Sequence, residues 1–331
     1  MSGPSLQTSY LGLRLAHPFM SGASPLADDV DGARRLEDGG SAAIVLRSVF
    51  EEQITFAHSG RIHQIDPLEP EFAARVAAFP QPARYRFSPE QYVEHLRRVK
   101  AAVAVPVIAS LNAMAAETWL QFALDVERAG ADALEVNMFR LVTDATQSSL
   151  AVEHDIRTIV VELKRALRMP IALKVLPFYT AFGHFAGQLD AAGVDGLILF
   201  NRLYEPDVDV VTVGDSPVVE LSDHSELLLR LRWAAVLHAR LRCSIAITGG
   251  VTSPTDGIKA ILAGADAVQL VSALLRHGPG YLAQMRDGLA EWLDRHALTL
   301  DEARGRIARS ADAELGERAN YINTLQSWTA R

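Results

Sequence analysis

Short apolar runs alternate along this chain with segments whose apolar residues recur at helical spacing. Eight of the runs read as strands, at 19–23, 42–46, 106–110, 134–137, 171–174, 196–200, 244–248 and 267–270. Helical segments fall between or after them at 31–38, 89–102, 115–129, 153–166, 182–191, 225–239 and 254–262. The strands are apolar on both faces, as in a parallel sheet covered by helices on each side. A recurring phrase opens four of them: Gly40-Ser-Ala-Ala-Ile-Val-Leu, Ala129-Gly-Ala-Asp-Ala-Leu-Glu-Val-Asn, Ala192-Gly-Val-Asp-Gly-Leu-Ile-Leu-Phe-Asn and Ala263-Gly-Ala-Asp-Ala-Val-Gln-Leu-Val. In each, glycine ends the preceding helix and small residues let helix and strand pack closely.

Eight such units predict a single α/β domain, a (β/α)8 TIM barrel spanning about 18–280 with extra C-terminal helices over about 281–331. No GxGxxG follows the first strand, which argues against a dinucleotide-binding sheet. Two connections exceed what a barrel needs: 50–88, with a short helix of its own expected near 70–78, and 202–225, which lacks helical periodicity. The tail reads as helices outside the barrel, its Tyr321 and Trp328 available to close it or to serve an interface.

Composition narrows the functional classes. The net charge of −8 is spread along 331 residues, and no basic patch interleaves with aromatics, so nucleic acid is not an expected partner. The single cysteine, Cys243, excludes intrachain disulfides, cysteine-cluster zinc sites and an Fe–S cluster, and reads as a small core residue. Ten scattered histidines lack metal-site spacing, so no metal is expected. Neither a signal peptide nor an apolar run of membrane-spanning length is present, which predicts a soluble cytoplasmic protein without a membrane partner.

Chemistry in such barrels gathers at the C-terminal ends of the strands. Polar residues stand at every predicted exit: Ser24, Arg47 and Ser48, Asn112, Asn137, Lys174, Asn201 and Arg202, Gly249 and Gly250, and Ser272. The turns at Gly249-Gly250 and Ser272-Ala273 predict a phosphate cradle, because glycine lets backbone N–H groups approach an anion. Asparagine amides can both donate to and accept from a planar heterocycle. Lys174 suits the N1–C2=O edge of a flavin, where a cation stabilises the reduced ring. The same lysine suits a Schiff base in a flavin-free phosphosugar lyase or isomerase, or could extend from the barrel mouth into solvent.

The segments Thr8-Ser-Tyr-Leu-Gly-Leu, Ser21-Gly-Ala-Ser-Pro, Ala43-Ile-Val-Leu-Arg-Ser, Leu134-Glu-Val-Asn, Ile171-Ala-Leu-Lys, Leu199-Phe-Asn-Arg, Thr248-Gly-Gly-Val and Ile261-Leu-Ala-Gly-Ala-Asp-Ala-Val-Gln-Leu carry a resemblance. The chain resembles the soluble, FMN-containing dihydroorotate dehydrogenases and their bacterial relatives over roughly residues 6–290. The resemblance implies FMN at the barrel mouth and hydride transfer between flavin N5 and a small planar, anionic substrate. It implies that Gly249, Gly250, Ser272 and Ala273 hold the phosphate, and that Ala23, Ser24 and Ser48 lie near the ring. Lys174 would meet the ring's polar edge, and Asn112, Asn137 and Asn201 would surround flavin and substrate. A homodimer is the implied assembly, and any Fe–S electron-transfer partner would be a separate chain.

The departures from the family are concentrated. Family members carry Ser-Cys-Pro-Asn shortly after the fourth-strand asparagine, with its cysteine as the catalytic base, or have serine in the cysteine's place. This chain reads Asn137-Met-Phe-Arg-Leu-Val, with Arg140 at the base position and Val142 replacing the motif's last asparagine. A guanidinium stays protonated and cannot take a proton from carbon. Asp144, Thr143 and Tyr204 are the nearest replacement bases in sequence, while Arg47, Arg140 or Arg202 could pair an anionic substrate. Two expectations follow: an FMN oxidoreductase acting on a substrate other than dihydroorotate, or dihydroorotate oxidation with a different base. A degenerate barrel that binds flavin or phosphate without dehydrogenase chemistry is the remaining alternative.

Overall fold

The structure, a computed structural model, describes residues 4–59, 80, 84–112, 116–202, 207–216, 220–308 and 313–328. Eight parallel strands close on themselves: β1 Phe19–Ser21, β2 Ile44–Val45, β3 Val107–Asn112, β4 Ala133–Asn137, β5 Ile171–Val175, β6 Gly196–Leu199, β7 Ser244–Thr248 and β8 Ala267–Leu270. Closure comes from β8 pairing with β1 and β2 pairing with both β1 and β3. A second short segment on the β2 side, Val49–Phe50, continues along β3. Helices α1 Val30–Asp38, α2 Pro89–Ala102, α3 Ala116–Arg128, α4 Ser149–Ala166, α5 Phe182–Ala191, α6 Leu227–Leu237, α7 Pro254–Ala263 and α8 Tyr281–His296 surround the barrel. This is the predicted (β/α)8 architecture.

Two apolar layers explain why these residues fold so. Outward-facing strand residues such as Ile44, Val107, Leu134, Leu173, Leu197, Ile247 and Val268 pack against the helices. The lower lumen is filled mostly by small side chains, Ala43, Ala133, Ala172, Ala246 and Ala267, with Met20, Val45, Ile108 and Ile198. A hairpin, Thr8–Tyr10 with Leu13–Leu15, plugs the bottom with Tyr10, Leu11 and Leu15. Any side chain at Gly196 would collide with Leu11, so glycine there makes room for the plug.

The recurring Ala-Gly-x-Asp phrase also has a bonding role. Asp132, just before β4, accepts from Val107 N–H and Lys100 Nζ, each at 2.6 Å. Asp195, before β6, accepts from Ile171 N–H at 2.8 Å and Lys164 Nζ at 2.6 Å. Asp266, before β8, accepts from Ile245 N–H at 2.8 Å. Each aspartate thus ties the start of the preceding strand to its own. Carboxylates at the ends of the odd helices complete the set: Glu37, Glu127 and Asp190 accept the backbone N–H groups entering β3, β5 and β7. The barrel floor therefore repeats every two strands, and strand entries that have no sheet partner for their N–H groups are satisfied by side chains.

Several expectations change in detail. α4 begins at Ser149, one turn before its apolar periodicity, because the Ser148 hydroxyl caps Ala151 N–H at 3.2 Å. α8 buries Leu282, Met285, Leu289 and Leu293 and packs on α7 and β1, so the barrel's eighth helix lies within the stretch assigned to the extension. The connection after β2 carries a helix at Glu51–Ser59 that the sequence reading missed, whereas the helix expected near 70–78 falls outside the described residues. The connection after β6 forms an antiparallel pair, Asp207–Asp209 with Gly214–Ser216. Beyond the barrel, Tyr321 and Trp328 are exposed on and after the helix Ala313–Gln326.

Candidate active site

Strand register brings the predicted polar residues into one row. Asn112 pairs with Asn137 across β3 and β4, and Asn137 pairs with Lys174 across β4 and β5. Asn201, just past β6, donates from Nδ2 to Asn137 Oδ1 at 2.6 Å. On the neighbouring staves the hydroxyls of Ser48 and Ser110 lie 2.7 Å apart. Tyr92 on α2 accepts the Ser110 N–H at 2.9 Å and fixes the end of β3 from outside; burial raises its phenol pKa well above the ordinary range.

Lys174 is held by a group that the sequence reading missed. Its ammonium donates to Oε1 of Glu135, which is fully buried in the lumen, while Gln269 on β8 donates from Nε2 to Glu135 Oε2 at 2.8 Å. The carboxylate fixes the amide orientation: nitrogen faces Glu135, and the buried Gln269 Oε1 is left without a donor. A sequence signal existed. Glu135 shares strand parity with Ala133 and Asn137, so a charged residue had to point into the lumen.

The two predicted anion-binding turns are joined. Gly249 and Gly250 both have positive φ, +83° and +75°. A Cβ on Gly250 would lie 2.5 Å from Leu227 N and 3.0 Å from Asp223 O, and one on Gly249 2.8 Å from Arg230 Nη2. The Ser222 hydroxyl accepts Gly250 N–H at 3.2 Å and donates to Ser272 Oγ at 2.9 Å, linking the β7 turn to the second residue after β8. Ala273 is buried beside it. Arg230, on α6, is buried beneath the turn and donates to Thr248 O and Glu226 O. Burial lowers its pKa, with Glu226 opposing that effect. Neither Ser222 nor Arg230 was legible as a site residue: one lies in a loop, and the other reads as a helix-surface cation.

The remaining predicted residues are engaged locally. Ser24 caps the turn Pro25–Ala27 at 3.4 Å from Leu26 N, beside half-buried Ala23. Arg47 forms a two-pronged pair with Asp28 at 2.8 and 2.7 Å. Arg202 lies 3.9 Å from Glu226. Arg140 donates to Asp155 at 3.2 Å and Gln147 at 2.6 Å, bracing its loop against α4. Asp144 is exposed, and hydrogen bonds from the backbone and hydroxyl of Thr146 hold its carboxyl below the ordinary range, which makes it a weak base. Thr143 is exposed, and Tyr204 lies outside the described residues. Burial pushes Tyr179, on the facing loop, up to about 12.

Among the described residues no group of three or more His, Cys, Asp or Glu side chains gathers as a metal site. No helix among them is long and apolar enough to cross a membrane.

Comparison with known proteins bears directly on this arrangement. The sequence profile of the dihydroorotate dehydrogenase family matches residues 88–293, more than half of the chain. A putative dihydroorotate dehydrogenase A (fumarate) of Aeropyrum pernix is 27% identical, over 88% of this chain and 94% of its own. The catalytic subunits of dihydroorotate dehydrogenase B (NAD(+)) from Thermoplasma volcanium and Methanocella arvoryzae are each 24% identical, over 87% and 89% of this chain. The matched residues run from the start of α2 almost to the end of α8 and contain the asparagine row, the Glu135–Lys174 pair and the glycine turn. With this barrel and this set of strand-end residues, the chain belongs to the dihydroorotate dehydrogenase family.

Proposed function

We propose that the chain is an FMN-dependent oxidoreductase acting on a CH–CH bond of a small planar, anionic substrate other than dihydroorotate. The observation that carries this reading is Lys174, fixed by Glu135 in one row with Asn112 and Asn137. Three features fit a flavin mononucleotide. The turn at Gly249-Gly250 leaves no room for a Cβ, which suits close backbone approach to a phosphate. The donor set joins a cation to amides able to read a heterocycle's edge. The orphaned Gln269 Oε1 is a buried acceptor awaiting an N–H. FMN bound there would supply N5 as the hydride acceptor or donor.

The chain's own residues divide the remaining tasks. Gly249, Gly250, Ser272 and Ala273 would hold the phosphate, with Ser222 tying the two turns together and Arg230 supporting them from below. Lys174 would place positive charge at the ring's polar edge, where Glu135 and Gln269 prevent it from swinging away. Ala23, Ser24 and Ser48 would border the ring, and Asn112, Asn137 and Asn201 would orient ring and substrate. The loop after Asn137 offers no group suited to take a proton from carbon: Arg140 is cationic and braced, and Asp144 is a weak base bound to its own turn. Loss of the base together with the family's substrate asparagine argues for a changed substrate rather than a changed base. Turnover of dihydroorotate with fumarate or a quinone at an ordinary enzymatic rate would overturn this proposal.

A further inference from the structure

The positive charge of Lys174 is not free to act on the barrel mouth. Lys174 stands in register with Asn137, whereas Glu135, which its ammonium meets, stands in register with Ala172, two residues nearer the floor. The lysine therefore reaches back into the lumen instead of out of it. The Glu135 side chain is 0% exposed and that of Lys174 10%, so little water screens either charge. Both carboxylate oxygens are engaged, Oε1 by the Lys174 ammonium and Oε2 by Gln269 Nε2 at 2.8 Å. Among the described residues neither charge has another ion-pair partner. The contact is one cation against one anion, with Gln269 holding the anion in place.

That pairing changes what the lysine offers a cofactor. An ammonium standing alone at the polar edge of a flavin acts as a full positive charge and favours the anionic reduced ring. With a carboxylate in direct contact, the same ammonium presents a dipole, whose field at the ring is much weaker than that of a single charge. Burial makes the contrast larger, because water that would level the two cases is largely absent.

We propose that Glu135 is a positioning residue that attenuates the charge Lys174 brings to the flavin, and so leaves the bound ring, once reduced, a stronger hydride donor than an unpaired lysine would. This rests on the oxidoreductase reading above, in which Lys174 meets the ring's polar edge. The surroundings allow the charge to be removed without removing the shape. With glutamine at position 135, the Gln269 amide can turn so that its orphaned Oε1 accepts the new N–H, while the glutamine oxygen still accepts from Lys174.

The test is the midpoint potential of the FMN-loaded full-length protein, measured at one pH by reductive titration against a reference dye. Glu135→Gln should favour the reduced flavin by about tenfold or more, an upward shift of about 30 mV for a two-electron couple. Glu135→Asp, which keeps the charge, should stay within about threefold of the unaltered protein, and so should Glu135→Gln/Lys174→Met, which removes both charges. Asp31→Asn, an exposed carboxylate on α1, should leave the potential where it is. An unchanged or lower potential in Glu135→Gln overturns the proposal, as does an equal rise in Glu135→Asp, which would make the effect one of shape. A double variant whose potential falls well below that of the unaltered protein also overturns it, because Lys174 would then have been acting unopposed; where Glu135→Gln does not fold, this comparison decides alone. Uptake of FMN with a potential indifferent to Glu135 removes this proposal and keeps the oxidoreductase reading. A chain that takes up no FMN removes both.

Discussion

Replacing Glu135 by leucine would strand the Lys174 ammonium inside the barrel mouth. The Glu135 side chain is 0% exposed and that of Lys174 10%, so water can compensate little. Removing one member of a buried ion pair costs about 3–5 kcal/mol, because the partner charge stays desolvated. Gln269 Nε2 would lose its acceptor as well, which places the loss at the upper end of that range. Against a typical total of about 5–15 kcal/mol, the variant would be marginal. The companion Glu135→Leu/Lys174→Met removes both charges and should return to within about 2 kcal/mol of the unaltered protein, since paired burial contributes little net stability. The assay is urea unfolding followed by circular dichroism on flavin-free protein, because a bound ligand would add its own stabilisation. A single variant within about 1 kcal/mol of the original, or a double variant as unstable as the sum of two singles, would refute the pairing.

Three further outcomes are expected. Gly250→Ala should lower stability by about 1–3 kcal/mol through its left-handed backbone alone, with additional loss from the contact with Leu227; urea unfolding measures the first and FMN titration should show weakened uptake. His17, whose pKa burial lowers from 6.5 to about 4, is neutral in the fold, so the unfolded chain binds the extra proton. Its contribution is complete above pH 6.5 and disappears as pH falls toward 4, a loss of roughly 3 kcal/mol; His17→Gln should flatten stability measured across that window. Asp132→Ala, which frees Val107 N–H and Lys100, should cost about 1–3 kcal/mol, whereas Asp31→Ala, at an exposed position of α1, should change unfolding by less than about 1 kcal/mol.

The barrel was legible because its strands are apolar on both faces and its helices keep their period, so all eight staves fall where the pattern places them. The asparagine row and Lys174 were legible for a related reason, since polar residues ending apolar strands have few places to go. Glu135 was hidden within a repeating phrase that reads as packing, and Gln269 meets it from 134 residues away, across a lumen whose distances no single sequence contains. Arg230 looks like any helix cation until the glycine turn is seen above it. The N-terminal hairpin escaped notice because strands of three residues carry too little alternation to register. Local bonds also decide what the loop after Asn137 does: Arg140 stands at the base position in sequence, yet its guanidinium is committed to Asp155 and Gln147.

The measurement that tests the central claim most directly is the visible spectrum and mass of whatever small molecule accompanies the natively purified chain, repeated after adding FMN. One FMN per chain, with the absorption bands of oxidised flavin and uptake diminished in Gly250→Ala, is the predicted result. A colourless protein that takes up no FMN, or one that binds it equally well without Gly250, would contradict the account.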